Sequence, residues 1–272
     1  MRINTNVNAM YASNNMNKNT ALAGSSMQKL ASGLRINKAS DDAAGLAVSE
    51  KMRAQIRGME QADRNVQDGI SLVQTAEGAL SEAGSIAQRM RELMVQAGNE
   101  TLDVTDRNVI QVELTQLAEE IENIALETKF NGRTIIDASA GDIVIQAGAN
   151  DETRTITAVN LEDIAGEIAG LVPGEDSDAS AYRAAIETLD EQITAINSAR
   201  ATLGSQQNRL EATSSNLTTS IENMTEAESR IRDVDVAKEM TNLAKLNLLT
   251  QTSQSMVAQA KSQPDGVAQL LR

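Results

Sequence analysis

The stretch that decides the fold is MRAQIRGMEQADRNVQDGISLVQTAEGALSEAGSIAQRMRELM, residues 52–94, which places an apolar residue at every seventh position. These apolar positions are Met52, Met59, Val66, Val73, Leu80, Ala87 and Met94. The companion column is only half apolar and reads Ile56, Asp63, Ile70, Glu77, Gly84 and Arg91. A repeat of seven over this length is typical of a helix that packs lengthwise against other helices. Because the chain has no Pro from about Asp42 to Gln96, we expect one helix of about 55 residues, roughly 80 Å long.

Both ends of this helix carry recognisable signals. Ser40 is the expected N-cap, and Asp41 and Asp42 would form an acidic first turn. The same two aspartates suggest a metal site, but an acidic first turn explains them better. Gly98 is the expected C-terminal stop.

Two further helices follow from the same reasoning. A second long helix carries Ile196, Leu203, Leu210, Leu217, Met224 and Ile231 at a strict spacing of seven. Its companion column is polar in the middle and reads Ile193, Arg200, Gln207, Ser214, Ile221 and Glu228. A shorter helix from about Asp106 to Thr128 carries Ile110, Leu114, Leu117, Ile121 and Ile124. We predict a mainly α fold of three to four long antiparallel helices plus terminal helices; an intramolecular coiled coil without further purpose is the plainer interpretation.

The region from about 130 to 172 has a different composition. The β-branched runs 134–136, 143–145 and 153–159 are separated by Gly and by the pair Asn150-Asp151. This pattern predicts one or two short hairpins. A short helix is expected over Leu161–Leu171, and a turn over residues 173–176.

The two ends of the chain share a character of their own. Residues 1–59 and 230–272 favour helix, contain a single aromatic residue and are weakly amphipathic. They are too polar to form a core alone, so we expect them to pair with each other or with neighbouring subunits.

Composition argues against an enzyme. The chain has no His and no Cys, which removes the commonest general base, the commonest metal ligand and the thiol nucleophile. With one Phe, two Tyr and no Trp, it also lacks the side chains that usually line a pocket. A site made of carboxylates alone stays open. No phosphate-binding loop occurs, and we expect no cofactor and no metal.

Charge is distributed unevenly along the chain. Residues 61–232 carry 12 Lys or Arg against 30 Asp or Glu, whereas residues 1–60 carry 8 against 4. An acidic middle disfavours nucleic acid as a partner. No stretch approaches 18 apolar residues, so we expect no membrane span, and the polar start shows no signal-peptide pattern.

Several blocks together resemble the bacterial flagellin family. They are MRINTNVNAM (1–10), ASGLRINKASDDAAGLAVSEKMRAQIRGMEQADRNVQDGISLVQTAEGAL (31–80), QRMRELMVQAGN (88–99), ETKFNGRTII (127–136), SRIRDVDVAKEMTNLAKLNLLTQTSQSMVAQAK (229–261) and QLLR (269–272). They recur in the family's order and cover essentially the whole chain. The variable outer domains of longer members are absent.

The resemblance implies an assembling structural protein. Residues 1–40 with 235–272 would form the inner coiled coil D0, disordered in the free monomer, and residues 41–234 the D1 domain. It further implies export through the flagellar type III apparatus, a helical homopolymer outside the cell, and an export chaperone, a cap protein and hook-junction proteins as partners.

The resemblance also implies a surface recognised by the vertebrate Toll-like receptor for flagellin. The matching residues are Arg89, Leu93 and Glu113. Packing between subunits is their alternative role, and both roles can hold together. Two other functions stay open: a hook–filament junction protein, and, more remotely, an enzyme or a cytosolic coiled-coil scaffold.

Overall fold

The chain folds largely into helices, with two short hairpins between the third and the fourth. The computed structural model describes residues 6–137, 141–174 and 177–270. Its helices are α1 Val7–Ser32, α2 Ala43–Ala97, α3 Val104–Glu127, α4 Leu161–Leu171, α5 Ala179–Arg232 and α6 Val236–Leu270. Its strands are β1 Lys129–Phe130, β2 Arg133–Thr134, β3 Ile143–Gln146 and β4 Thr153–Ile156. The predicted mainly α fold with a small hairpin region is confirmed.

The residues group into two compact units. One unit combines Met1–Ala54 with Glu222–Arg272, and the other is Gln55–Ile221. The first therefore contains both ends of the chain, and the second contains the hairpins. The division into D0 and D1 at residues 40 and 235 follows the family and stays a prediction.

Helix α2 has the predicted length of 55 residues, but its N-cap differs from the prediction. The backbone N–H of Gly45 donates to Asp42 Oδ1 at 2.9 Å, so Asp42 is the cap and Ser40 is not. Asp41 accepts the backbone N–H groups of Asn37 and Lys38 instead. No acidic residue lies in the first turn, because the cap lies two residues later than expected. Gly98 follows the last residue of the helix, as predicted.

The apolar columns of α2 and α5 form the core of the second unit. The fully or almost fully buried members are Val66, Val73, Leu80, Ala87 and Met94 from α2, and Ile196, Leu203, Leu210 and Leu217 from α5. Since burying a Leu or Val side chain stabilises a fold by roughly 1.5–3 kcal/mol, these nine residues contribute substantially to this core.

Polar members of the interrupted columns have a structural role, since several of them pair with residues of the other helix. Ser214 donates to Asp63 Oδ1 at 2.6 Å. Arg200 lies 2.8 Å from Glu77, and Arg91 lies 2.5 Å from Asp190. As the residue number rises on α2 it falls on α5, so the helices are antiparallel in this unit.

Helix α3 adds a third apolar face to the same core. Asp103 accepts the N–H of Val104 at its start. Ile110, Leu114 and Ile121 are buried, as predicted, and α4 lies against α3. The turn predicted over residues 173–176 falls partly outside the described residues, which exclude Glu175 and Asp176.

Both hairpins are present, with one correction. Strands β1 and β2 join through Asn131 and Gly132, whose φ angles are 51° and 79°, the conformation of a tight two-residue hairpin. Only Thr134 of the run 134–136 is in a strand; Ile135 and Ile136 leave the hairpin and are buried in the core. Strands β3 and β4 pair with Ile143 opposite Ile156.

The β3–β4 hairpin lies against α2 at two glycines. A Cβ on Gly69 would come within 2.1 Å of Ile145 Cδ1, and a Cβ on Gly58 within 2.8 Å of Ala149 Cβ. The side chain of Asn65, between these glycines, donates to Gln146 O at 3.2 Å. A glycine inside a helix costs roughly 1 kcal/mol relative to Ala, and close approach of the hairpin explains why α2 carries two of them here.

The close approach of the hairpin predicts that a Gly→Ala substitution changes stability differently at Gly58 and at Gly78. Gly58→Ala should destabilise relative to Gly78→Ala, because a Cβ on Gly78 meets nothing within 4 Å. Both changes gain the same helix propensity, so the difference isolates the overpacking cost of about 1–3 kcal/mol. Urea unfolding followed by circular dichroism measures it. Equal unfolding free energies for the two variants would show that the hairpin does not pack on Gly58.

The contact between Arg91 and Asp190 makes stability depend on pH. The hydrogen bond from Arg91 is the main cause that lowers the pKa of Asp190 below its usual value. A carboxyl with a lower pKa in the folded state stabilises the fold above its unfolded pKa of about 4, and this stabilisation is lost as pH falls through the folded pKa.

The unfolding free energy of Asp190→Asn should therefore approach that of the parent protein as pH falls from about 5 to about 3. Urea titrations at several pH values measure the difference between the two proteins. Glu191→Gln, on the exposed neighbouring carboxylate, is the matched control and should give no such convergence. A difference that stays constant across this range would contradict the assignment.

Candidate assembly surface

The terminal helices α1 and α6 lie against each other through a mixture of small, polar and apolar side chains. Apart from Ser13 and Lys29, the buried or half-buried positions of α1 recur at spacings of three and four: Ala9, Ala12, Met16, Asn19, Ala23, Ser26 and Leu30. Those of α6 follow the same rule: Glu239, Leu243, Leu246, Thr250, Ser253, Val257 and Ala260. This is the period of a coiled coil, and five of these fourteen positions carry a large apolar side chain: Met16, Leu30, Leu243, Leu246 and Val257.

Polar bonds fix the alignment of the two helices. Asn6 donates to Ala260 O at 2.6 Å, and Asn242 donates to Ser26 Oγ at 3.3 Å. These bonds join the start of α1 to the distal part of α6 and the end of α1 to the start of α6, so the helices are antiparallel. Directional bonds of this kind specify register more than they add stability.

Ten further large apolar side chains of the two helices are exposed. Those of α1 are Val7, Met10, Tyr11, Leu22 and Met27, and those of α6 are Val236, Met240, Leu248, Leu249 and Met256. Tyr11 and Leu248 are 67% and 64% exposed. We call these ten residues the outer apolar face. Ten of the 17 exposed large apolar side chains of the described residues lie on this pair of helices, and such a concentration is typical of a surface that another molecule covers.

One part of the outer apolar face is concave. Tyr11, Leu249 and Met256 line a groove of about 340 Å³ together with smaller polar residues of both helices. An incoming apolar side chain placed there would be in contact with α1 and α6 at once. The groove therefore depends on the two ends of the chain being paired.

The connections into and out of the terminal helices are joined to each other. Gly33 ends α1 in the left-handed conformation with φ 72°. Its carbonyl accepts the N–H of Val234 at 3.0 Å, and the N–H of Arg35 donates to Arg232 O at 2.6 Å. We call this pair of segments, residues 33–35 and 232–234, the clasp. Ile36, next to it, is 1% exposed, so the clasp is also packed.

An ion pair strengthens the base of the clasp. Arg232 lies 2.6 Å from Glu50, and its hydrogen bond is the main cause that lowers the pKa of Glu50. The Arg232 side chain is largely buried, whereas Glu50 is half exposed. This pair fixes the end of α5 to the beginning of α2.

The three residues that the sequence singled out do not share one surface. Arg89 donates to Glu113 at 3.0 Å and to Glu92 at 3.2 Å; Arg89 and Glu113 are about half exposed, and Glu92 is largely exposed. These contacts, that with Glu113 first, raise the pKa of Arg89. Leu93, however, is 2% exposed and lies in the core. The sequence contained a sign of each finding. Leu93 directly precedes Met94 of the apolar column, which indicated burial. Glu92 follows Arg89 by three residues, a spacing that brings two side chains of a helix into contact.

The described part of the chain gives little support for a catalytic or metal-binding site. No group of three or more Asp or Glu side chains there could hold a metal ion. The paired Asp41 and Asp42 both accept backbone N–H groups. None of the described helices has the length and apolarity needed to cross a membrane.

Comparison with known proteins agrees with this architecture. The model of the bacterial flagellin N-terminal helical region matches residues 3–140, and that of the bacterial flagellin C-terminal helical region matches residues 186–271. The flagellin of Halalkalibacterium halodurans is 50% identical over 272 residues, and the alignment covers 100% of both chains.

Two solved structures are similar as well. A flagellin from Bacillus cereus has a TM-score of 0.52 at 36% identity, over 61% of this chain and 94% of that one. A putative flagellar hook-associated protein from Vibrio parahaemolyticus has a TM-score of 0.60 at 13% identity, over 71% of this chain and 100% of that one, which shows a shared fold alone. With both terminal family models matched and half of its residues identical to a full-length relative, the chain belongs to the bacterial flagellin family.

Proposed function

We propose that this chain is the structural subunit of the bacterial flagellar filament, and that the outer apolar face of α1 and α6 joins neighbouring subunits. The observation that carries the proposal is the exposure of ten large apolar residues on these two paired helices. Flagellins are structural proteins and not enzymes, and they polymerise into an exported, extracellular filament.

Geometry favours an open polymer over a closed oligomer. The outer apolar face is spread over two antiparallel helices, and α1 differs from α6 in sequence. Contacts between unlike surfaces of identical subunits produce a helical filament whenever the rotation does not close. Such a filament turns the torque of a rotary motor into thrust through its superhelical shape.

The finer assignments extend the family's organisation to this chain. We infer that residues 1–40 with 235–272 act as the inner domain D0 and residues 41–234 as the domain D1. We further infer export by the flagellar type III route, with a chaperone on the C-terminal segment and a cap protein at the growing tip. The outer apolar face supports the chaperone, because a surface of this kind needs cover before assembly.

A hook–filament junction protein is the alternative. Its support is the fold shared with the putative hook-associated protein from Vibrio parahaemolyticus, at 13% identity. The flagellin relative, by contrast, is 50% identical from end to end. Electron microscopy of purified subunits added to short filament fragments separates the two functions, since a filament subunit elongates the fragments over many repeats and a junction protein does not.

The double variant Leu248→Gln/Met256→Gln should elongate such fragments poorly. Both side chains are exposed on α6, so the subunit should keep its helicity. Full burial of each is worth roughly 1.5–3 kcal/mol. The lowest concentration that supports elongation should therefore rise by about tenfold or more. Sedimentation of polymer measures it.

Gln254→Asn is the matched control, because it changes an exposed polar residue between the two sites. It should elongate fragments at the parent concentration. Elongation by the double variant at that same concentration would remove the outer apolar face from the assembly contact.

We propose receptor recognition through Arg89 and Glu113 as a second property of the monomer, with Leu93 supporting them from below. The ion pair of Arg89 with Glu113 supports this proposal because it gives the exposed surface a fixed geometry. Arg89→Ala with Glu113→Ala should lower the response of a Toll-like receptor reporter cell by about tenfold, as expected when a charged pair is removed from an interface.

The control for this measurement is Gln88→Ala, which alters an exposed neighbour on α2 and should leave the response unchanged. Leu93→Ala tests the core role separately and should lower the free energy of unfolding by about 2–5 kcal/mol. A full response from the double variant would exclude this surface as the receptor contact.

A further inference from the structure

The methionines of the described residues range from fully buried to more than half exposed, with Met16, Met52, Met59 and Met224 between these extremes. The sequence has 11 Met and no Cys, so thioethers are its only sulfur groups. Met90 and Met94 are 0% exposed in the core of the second unit. In the described part of the chain, the methionines that are more than half exposed all lie on α1 or α6: Met10, Met27, Met240 and Met256.

The exposed methionines are also part of the outer apolar face. They make up four of its ten residues, and Met256 lines its groove beside Tyr11. Met adapts its shape to irregular contacts and is therefore common on surfaces that repack. The same thioether is readily oxidised where solvent reaches it.

We propose that Met10, Met27, Met240 and Met256 form an oxidation site that controls assembly, in which a peroxide converts them to sulfoxides in the free subunit and the modified subunit no longer joins the filament. The modification site stands on the exposure of these residues; its effect on assembly rests on the proposed function. Once the subunit is assembled, the same contacts that use these side chains exclude the oxidant from them.

The reaction is a transfer of one oxygen atom. A lone pair of the thioether sulfur attacks one oxygen of hydrogen peroxide, an S–O bond forms and the O–O bond breaks. The second oxygen leaves as water after proton transfer. Sulfur is oxidised by two electrons and the peroxide is reduced by two, so no further reactant is needed.

The physical effect follows from polarity. A sulfoxide is polar and chiral, and it carries a strong hydrogen-bond acceptor in place of an apolar sulfur. On the free subunit it stays in water at little cost. In the assembled contact it would be buried, and a buried acceptor without a donor is unfavourable.

Limited treatment of the full-length subunit with hydrogen peroxide, followed by peptide mass spectrometry and the elongation assay, tests the proposal. The four exposed methionines should be oxidised first and Met90 and Met94 should be spared, with no loss of helicity. The lowest concentration that supports elongation should rise by about tenfold or more, because apolar burial is lost at several positions. Enzymatic reduction of the sulfoxides should restore elongation, and filaments oxidised after assembly should be protected at the same four residues.

A matched variant separates these sites from the others. Substitution of the four exposed methionines by Leu keeps an apolar side chain of similar volume and removes the reactive sulfur. Peroxide treatment should leave its elongation at the value measured before treatment, because no sulfur remains at these four positions. Loss of elongation by the peroxide-treated Leu variant, or full elongation by parent subunits carrying all four sulfoxides, would overturn the proposal.

These experiments distinguish failure of the oxidation site from failure of the proposed filament function. If untreated parent subunits do not elongate fragments, the filament function and the assembly half of the inference fall together. The oxidation map is then still decided by mass spectrometry. Uniform oxidation of exposed and core methionines would overturn the selective site regardless of assembly.

Discussion

The antiparallel packing of α2 on α5 is the contact on which the rest of the second unit depends. Two apolar columns with a period of seven meet along it, and α3 and the hairpins are added to its sides. The chain has almost no aromatic side chains, so length replaces bulk: many Leu, Ile, Val and Ala residues along two long helices bury the area that a few aromatics would bury in a rounder protein.

Polar residues and glycines decide how that packing is aligned. The pairs Asp63–Ser214, Glu77–Arg200 and Arg91–Asp190 lie beside the apolar columns and can form in one register only. A slip of one heptad would keep the apolar contacts and break these pairs. Gly58 and Gly69 then select where the β3–β4 hairpin lies on α2. Each feature adds little energy by itself, but together they exclude alternative arrangements.

Local patterns made the long helices predictable, because the heptad spacing of α2 and α5 is written in neighbouring residues. The N-cap was misplaced, since Ser40, Asp41 and Asp42 are all good cap residues and the choice between them depends on the turn that precedes the helix. Ile135 and Ile136 read as strand because of their β-branched side chains, but burial in the core decided their conformation. Predicting the outer apolar face would have required knowing which side of α1 packs against α6. A weakly amphipathic sequence does not contain that information. Recognition of the family supplied the function, and the arrangement of side chains supplied a physical basis for it.

If the outer apolar face joins subunits as proposed, its division over two helices has a kinetic consequence. A single neighbour can cover only part of a surface that extends along both α1 and α6, so a pair of subunits gains little and separates again. A subunit arriving at the end of an existing polymer meets several neighbours at once and buries most of the surface in one step. The first contacts are therefore the unfavourable ones, and growth on a preformed end is fast while spontaneous nucleation in solution is slow. A protein built in this way can be concentrated without polymerising until a template is present.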